Sequence, residues 1–319
     1  MTLLEKFTNK KILITGASGF IGSHLAGELS GVPCSLALVD NCDAPGGIDL
    51  GGKADIVLHP LDILQDEFLD LISNSNFDFI FHLAGNANVR KSVTDPDLDF
   101  RLNLQATFAM LEVLRRTPRE TIFINASSAA VYGNPLALPI KEVDATFPIS
   151  PYGVSKLTSE RYLDVYCNIY GLRGASVRMF SPYGPKLRKQ IVYDLIQKLF
   201  KNPSRLEVLG DGTQTRDFIY VDDLISAILH VACMGNLNGS VYNIAGGDQI
   251  TTSSIVDRLV RIMGTETDIV YSLEDNPGYP QRWCADIKKI ANLGWRASVP
   301  LDDGLRKTVA WVMREYSQH

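Results

Sequence analysis

The feature that most constrains the fold lies near the start of the chain. Lys11 to Thr15 is a short apolar run, and glycine follows at Gly16, Gly19 and Gly22. Apolar residues at helical spacing come next, so the order is strand, glycine turn and helix. The first glycine permits a tight bend, the next lets backbone approach a pyrophosphate, and the third lets helix and strand pack closely. The helix N-terminus would face the phosphates, and the segment therefore predicts a dinucleotide site.

A second strand ends in an acidic residue that suits such a site. Leu36 to Asp40 is apolar up to Asp40, which lies 24 positions after Gly16. A carboxylate there can accept hydrogen bonds from the adenosine ribose hydroxyls and would repel a 2′-phosphate. No arginine follows it, so the sequence favours NAD over NADP. A turn that Asp40 starts with Asn41 is the purely structural alternative.

The alternation of strand and helix continues and predicts an α/β fold: a doubly wound, parallel-sheet Rossmann domain with a smaller C-terminal substrate-binding lobe. We assign 1–180 to the NAD-binding domain and 181–319 to the lobe, and expect about 213–246 to return to the first domain. We predict further strands at 56–58, 79–83, 121–125, 175–180 and 241–244, and helices at 65–73, 97–116, 151–170, 222–233, 253–263, 286–292 and 301–315. A loop is predicted at 276–280.

Several polar or small residues fall where these strands end. Asp62, Ala84, Ser128 and Ser181 each follow a predicted strand. Ligands bind at the carboxyl ends of the strands in such sheets, so these positions predict one shared site.

The stretch from Ser150 to Lys156 carries the candidate chemistry. Ser150 suits a helix N-cap and Pro151 the first helical position, which places Tyr152 and Lys156 on one helical face. A phenol beside an ammonium ionises more easily, and a nearby serine hydroxyl could bridge it to a substrate oxygen. The set would act as a base for a sugar or alcohol hydroxyl, working against a hydride acceptor. A half-buried tyrosine beside a solvated lysine is the plain alternative.

Composition and charge exclude several classes of function. The chain has 319 residues with 45% hydrophobic and 21% charged content and a net charge of −5, so a basic nucleic-acid surface is not expected. Five scattered cysteines form no C-x-x-C pair, which argues against a disulfide framework or structural zinc. Neither a signal peptide nor an apolar run of membrane-spanning length is present, and a cytoplasmic protein without membrane contact is expected.

Together these residues resemble the extended short-chain dehydrogenase/reductase family, in particular its NAD-dependent nucleotide-sugar epimerases and dehydratases. The resemblance covers nearly the whole chain. It rests on an ordered set of motifs: Thr15-Gly16-x-x-Gly19-x-x-Gly22, Asp40, Asp62-Ile63, His82-Leu83-Ala84-Gly85, Asn103, Ser127-Ser128, Tyr152-x-x-x-Lys156 and Arg216-Asp217-Phe218.

The resemblance implies roles for individual residues. Tyr152 would be the acid/base, Lys156 would hold the nicotinamide ribose and lower the tyrosine pKa, and Ser128 would bind the sugar oxygen. The implied NAD contacts are Gly16, Gly19, Phe20, Ile21, Gly22, Asp40, Asn41, Asp62, Ile63, Leu83, Ala84, Gly85, Asn103, Ser127, Tyr152 and Lys156. The implied contacts with a nucleotide sugar are Ser128, Ser181, Arg188, Arg216 and Arg282, the arginines at 216 and 282 gripping its pyrophosphate. A surface ion pair is the alternative for either arginine.

Within this family the residues after the catalytic serine separate the reactions. Family 4,6-dehydratases carry an Asp-Glu pair there, and the decarboxylase branch keeps a glutamate, whereas this chain has Ala129-Ala130. The stretch is similar to that of the 4-epimerases. Two departures are Ser181, where asparagine is usual, and Gly85, where alanine is frequent. The first puts the identity of the nucleotide and sugar in doubt.

The resemblance therefore implies an NAD-dependent nucleoside-diphosphate-sugar epimerase, acting at C4 of a UDP-hexose through a 4-keto intermediate. A 4-ketosugar reductase or C4 oxidase with net NAD(H) turnover is the alternative, and a non-catalytic NAD-binding protein a remote one. No metal is implied. A homodimer packed through helices 97–116 and 151–170 and a role in polysaccharide biosynthesis are further expectations, with a core-facing role the alternative for these helices.

Overall fold

Seven parallel strands form the central sheet of the protein, in a computed structural model that describes residues 2–41, 50–117, 120–272 and 281–317. The strands in chain order are β1 (Lys11–Thr15), β2 (Ser35–Asp40), β3 (Asp55–Pro60), β4 (Phe79–His82), β5 (Ile122–Ser128), β6 (Arg173–Met179), β7 (Ser181–Tyr183), β8 (Arg205–Val208), β9 (Thr215–Arg216), β10 (Phe218–Tyr220), β11 (Asn238–Ile244), β12 (Ile250–Thr251) and β13 (Asp268–Tyr271).

The order of strands in the sheet is β11-β6-β5-β4-β1-β2-β3. β1 lies between β2 and β4, so the chain reverses its direction of growth at the gap between β1 and β4. Ligands bind at such a switch point, beyond the carboxyl ends of the strands. The predicted α/β fold is confirmed, and β11 adds a strand from the second half of the chain to the edge of the sheet beside β6.

Helices cover both faces of the sheet. They are α1 (Phe20–Ser30), α2 (Asp66–Asn74), α3 (Val89–Thr94), α4 (Pro96–Phe100), α5 (Ala106–Arg116), α6 (Pro151–Tyr170), α7 (Gln190–Lys201), α8 (Val221–Met234), α9 (Thr252–Met263), α10 (Lys288–Ala291) and α11 (Leu301–Ser317).

Each face has its own apolar core. On one face α1 and α8 pack on the sheet in a cluster that continues into α7, α9 and α11. On the other, α2, α5 and α6 pack through residues such as Phe68, Met110 and Leu163. β1 is buried at its last four positions, as its unbroken apolar run requires when both faces are covered.

The helix predicted at 97–116 is not one regular helix. Between α4 and α5 the segment Arg101–Gln105 forms a π-helical turn, and the separate helix α3 precedes α4. A π-turn adds one residue to a helical turn and often marks a functional site, a change that apolar periodicity does not reveal. The loop predicted at 276–280 lies outside the described residues.

The bounds of α6 are those predicted. Ser150 Oγ accepts a hydrogen bond from Gly153 N at 3.2 Å, Pro151 occupies the first turn, and Gly171 ends the helix in the left-handed conformation at φ 73°. Within the described residues, no helix combines the length and apolarity that crossing a bilayer requires.

Candidate active site

The glycine loop between β1 and α1 is held against the backbone that follows β4. Gly16 has φ +68°, and a Cβ there would lie 2.8 Å from Ala84 N. A Cβ on Gly22 would lie 2.0 Å from Gly16 O, so both positions exclude a side chain. Asp40 Oδ2 accepts a hydrogen bond from Ser18 N at 2.8 Å, which fixes the acid at the end of β2 beside the loop.

A buried histidine joins β1, β4 and the helical segment. Thr15 Oγ1 accepts from Leu83 N and Ala84 N, each at 3.1 Å, so its own proton points to His82 Nδ1 at 2.9 Å. His82 Nε2 then donates to Thr107 Oγ1 at 3.1 Å, and Thr107 donates to Asn103 O at 2.9 Å. The network therefore holds His82 as the neutral Nε2–H tautomer. Burial and the Lys156 charge lower the pKa of His82 to about 3.

Ser128, Tyr152 and Lys156 meet at the carboxyl end of β5. Tyr152 and Lys156 are buried, and Lys156 Nζ lies 5.9 Å from the centroid of the Tyr152 ring. Ser128 caps the short 3₁₀ helix Ala129–Tyr132, its Oγ accepting from Ala130 N at 3.2 Å. Its hydroxyl also acts on the Tyr152 phenol, whose pKa it lowers.

The electrostatics of this trio differ from the expectation for an activated phenol. Burial raises the pKa of Tyr152, and the hydrogen bond from Ser128 opposes that rise. Burial lowers the pKa of Lys156 to about 8, with the negative charges of Asp99 and Glu160 acting in the opposite direction. Desolvation therefore outweighs the effect of Ser128 on Tyr152 and that of the two carboxylates on Lys156, and the phenol is neutral at neutral pH.

Ser127, predicted to contact the cofactor, directs its side chain elsewhere. Its hydroxyl donates to Glu160 Oε1 in the core. Glu160 pairs with Arg178, whose Nε and Nη2 donate to its two oxygens at 2.9 and 2.6 Å, with both side chains 2% exposed. Arg178 also donates to Tyr132 Oη at 2.7 Å. A buried, hydrogen-bonded ion pair thus ties β5, β6 and α6 together behind the trio.

Gly85 and Asn103 also lie together. Gly85 has φ +143°, and a Cβ there would lie 2.4 Å from Asn103 Oδ1. Asn103, in the π-turn, donates through Nδ2 to Asn86 O at 3.1 Å and to Asp99 Oδ1 at 2.9 Å. The sequence analysis did not single out Asp99 or Glu160, although each is four residues from a predicted site residue, Asn103 and Lys156.

The two arginines predicted to grip a pyrophosphate stand on adjacent segments. Thr215, which precedes Arg216 in β9, forms an isolated parallel β-bridge with Arg282. The Arg216 guanidinium lies 5.4 Å from the Trp283 ring centroid and its Nη1 donates to Thr215 O at 2.8 Å. Ser181 opens β7, where its N–H donates to Asp217 O at 3.1 Å, one residue beyond Arg216.

Arg188, also predicted to bind substrate, is engaged with the C-terminal helix. Its guanidinium pairs with Glu315 and lies 5.8 Å from the Trp311 ring centroid. The prediction rested on the family resemblance, which does not specify the direction of each side chain.

The remaining predicted residues lie around the glycine loop and the ends of β2 and β3. Phe20 and Ile21 open α1, Asn41 follows β2, and Asp62 and Ile63 follow β3. Asp62 Oδ1 accepts from Leu64 N at 2.9 Å, and Ile63 is buried.

The residues present fit a dinucleotide. The glycine turn leaves no room for side chains, helix α1 begins at its edge, and Asp40 lies where ribose hydroxyls would meet a carboxylate. Ser18 Oγ and Asn103 Oδ1 are buried polar atoms without a hydrogen-bond partner in the described part of the chain, as expected where a ligand supplies one. No group of acidic, histidine and cysteine side chains in the described ranges could hold a metal ion.

Comparison with known proteins agrees with this geometry. The sequence model of the NAD dependent epimerase/dehydratase family matches residues 12–245. The chain belongs to this family. It is 32% identical, over 96% of its own length and 99% of the relative, to a Bacillus subtilis protein named as an uncharacterized UDP-glucose epimerase.

Two solved structures show the same architecture. The UDP-glucose 4-epimerase of Thermotoga maritima, determined with UDP-glucose, is 28% identical with a TM-score of 0.87, over 96% of this chain and 99% of that one. The UDP-glucuronic acid 4-epimerase of Bacillus cereus, determined with UDP-glucuronic acid and NAD, is 31% identical with a TM-score of 0.85, over 96% and 100%.

Proposed function

We propose that the protein is an NAD-dependent nucleoside-diphosphate-sugar epimerase that acts at C4 of a UDP-hexose. The observation that carries the proposal is the trio of Ser128, Tyr152 and Lys156, of which Tyr152 and Lys156 are buried, beside the glycine turn of a dinucleotide fold. The two solved UDP-sugar 4-epimerases described above match nearly the full chain, and this similarity supports the choice of reaction.

Tyr152 is the proton acceptor and donor in this proposal. It takes the proton of the sugar C4 hydroxyl, which the Ser128 hydroxyl holds. NAD, when bound, would supply the hydride acceptor and donor at C4. Tyr152 returns the proton to the same C4 oxygen after the flat keto sugar has turned, so neither protons nor electrons change in the net reaction.

Lys156 and the loop residues hold the cofactor in the same proposal. The ammonium of Lys156 binds the ribose beside Tyr152, and its positive charge favours the phenolate during catalysis. Gly16, Gly19 and Gly22 admit the pyrophosphate, and Asp40 accepts from the adenosine ribose. Asn103 Oδ1, buried and unpartnered in the described structure, accepts a further hydrogen bond from the bound cofactor or an associated water.

Arg216 and Arg282 are the candidate grip on the substrate pyrophosphate. Their planar guanidinium groups suit phosphate oxygens, and the Thr215–Arg282 bridge keeps their segments adjacent. A firm hold on the nucleotide lets the flat keto sugar turn in the pocket without leaving it. Arg188 is the weaker candidate, since its charge is already paired with Glu315.

Loss of water from the sugar is disfavoured by the residues after Ser128. Ala129 and Ala130 are both buried, at 0% and 8% exposure, and neither side chain has an ionisable group that could donate or accept a proton. Elimination across C5 and C6 would need an acid and a base there. Epimerisation at C4 needs no acid or base at these two positions.

The first experiment is NMR of the purified protein with UDP-glucose and UDP-galactose, without added NAD, followed by other UDP-, GDP- and dTDP-sugars. We expect C4 epimers to interconvert with no net NADH. Product that forms only with stoichiometric NAD(H) would contradict the epimerase and identify an oxidoreductase with net cofactor turnover.

The Tyr152→Phe variant tests the role of the phenol. We expect kcat to fall by about 10²–10⁴-fold because the proton carrier is lost, with little change in the free energy of unfolding. Tyr162→Phe is the matched control, since Tyr162 lies on the same helix and is 39% exposed. An unchanged kcat in Tyr152→Phe would show that the phenol is not the proton carrier.

We also propose a homodimer formed through α5 and α6. Val154, Tyr162, Val165 and Ile169 lie on one face of α6 at helical spacing and are 39–67% exposed. Phe108 of α5, itself 39% exposed, continues this face, with its ring centroid 5.2 Å from that of Tyr162. Such a contiguous apolar surface suits a second copy of the chain.

A cytoplasmic location belongs to the same proposal. The described cysteines Cys34, Cys167, Cys233 and Cys284 are free thiols, which suits a reducing compartment.

A further inference from the structure

A buried carboxylate outside the trio faces the same site. Asp99, in the last turn of α4, is 1% exposed. Its Oδ1 accepts from Asn86 Nδ2 at 2.7 Å and from Asn103 Nδ2 at 2.9 Å, and its Oδ2 accepts from Ser155 Oγ at 2.9 Å. All three donors are neutral, so they orient the carboxylate and satisfy its oxygens without cancelling its charge.

The cation that this charge acts upon is Lys156. Ser155, which donates to Asp99, is the residue before Lys156, and α4 packs against α6. Lys156 is 7% exposed, so taking its ammonium out of water is costly unless an opposite charge is near.

The other groups around Lys156 do not replace Asp99. Glu160, one turn further along α6, is already paired with Arg178 through two hydrogen bonds. His82 of β4 is neutral in its network, and Tyr152 of α6 is an uncharged phenol in this state. Asp99 is therefore the carboxylate near Lys156 whose charge is not shared with an arginine.

We propose that Asp99 is a positioning residue for the proposed reaction: its carboxylate, oriented by Asn86, Asn103 and Ser155, keeps Lys156 protonated beside Tyr152. The effect of Asp99 on catalysis rests on the proposed function, whereas its effect on the charge of Lys156 does not. The direction of the charge effects agrees with it, because Asp99 raises the pKa of Lys156 against the lowering by burial. Asp99 also disfavours the Tyr152 phenolate, so its net benefit depends on preserving the lysine charge.

The test is Asp99→Asn, which retains the size of the side chain and removes its charge. We expect the alkaline limb of the kcat/KM profile to move down by about one pH unit or more, and kcat/KM at pH 8 to fall on the order of tenfold. Asp97→Asn is the matched control, a loss of charge on the same helix at a side chain that is 81% exposed. Its alkaline limb should coincide with that of the wild type.

The Lys156 side chain can be titrated directly by NMR with labelled lysine, assigned through Lys156→Arg. This reading needs no turnover, so it tests the inference even if no sugar is epimerised. A Lys156 midpoint in Asp99→Asn equal to that in Asp97→Asn overturns the proposal, whatever the loss of activity. If Asp99→Asn does not fold, the wild type decides: a Lys156 that is neutral at the pH of maximal kcat overturns it, and one that is protonated there supports it.

Discussion

At the scale of single residues, Gly85 shows how a small position serves the site. Alanine is frequent at this position in the family that the chain resembles. In this chain Gly85 has φ +143° and faces Asn103 Oδ1. Asn103 in turn is one of the donors that orient Asp99. Glycine at 85 therefore lets the loop after β4 pass close to the π-turn.

Gly85→Ala should destabilise the protein by about 1–3 kcal/mol, since the backbone strain at positive φ adds to a clash at 2.4 Å. Denaturant unfolding measures the change. Gly171→Ala is the control, because Gly171 has φ +73° with nothing within 4 Å of its Cβ, so it reports backbone strain alone. Equal costs for the two variants would show that Asn103 yields easily to the added methyl group.

Residues also mark the limit of what the sequence could predict. The Ser128, Tyr152 and Lys156 positions came from a strand end and from helical spacing, which are local signals. The partner of the Ser127 hydroxyl, Glu160, lies 33 positions away, and that of Arg188, Glu315, lies 127 away. No local pattern encodes such pairings, and these are the side chains whose directions were not foreseen.

At the scale of elements, caps and breaks explain which helices were predictable. α6 has a serine cap, a proline in its first turn and a glycine at its end, so both limits could be read from sequence. The 97–116 segment has apolar periodicity but contains the π-turn Arg101–Gln105, which that periodicity does not show. Inner strands such as β1 and β4 were predictable because burial on both faces leaves unbroken apolar runs.

His82, which joins β1, β4 and α5, gives these elements a shared response to acid. Its pKa is lowered to about 3 in the fold from an ordinary value of 6.5, so between these pH values the unfolded chain binds a proton that the folded chain does not. This contribution to stability is fully present above pH 6.5 and is lost as pH falls below it. The free energy of unfolding should fall by about 1.4 kcal/mol per pH unit from this residue alone.

Denaturant unfolding at pH 7 and pH 5 tests the acid response. In His82→Gln the free energy of unfolding should change less steeply with pH, by the contribution of one proton, or about 1.4 kcal/mol per pH unit. The contributions of His24 and His59 are the same in both proteins. Identical slopes in the two proteins would mean that His82 does not remain neutral in the fold.

At the scale of the whole molecule, contacts between distant residues join the sheet to the later half of the chain. β11 joins the sheet edge beside β6, and Asp217 Oδ1 and Oδ2 accept from Gly247 N and Ala285 N, each at 2.9 Å. These contacts fix the segments that carry Arg216 and Arg282 relative to the trio. The sequence predicted two functional halves, but the contacts that align them join residues distant along the chain.

The proposed dimer is the last consequence at this scale. If two copies cover the α5–α6 face, the wild type should have about twice the chain mass of 35.2 kDa by light scattering after gel filtration. Val165→Glu places a charge on that face, and because burying an unpaired charge costs several kcal/mol, we expect a monomer at micromolar concentration. Leu209→Glu is the control, as Leu209 is 54% exposed, lies on neither α5 nor α6, and should leave the dimer intact. A wild type that is monomeric at high concentration, or a dimer that survives Val165→Glu and dissociates with Leu209→Glu, would place any self-association elsewhere.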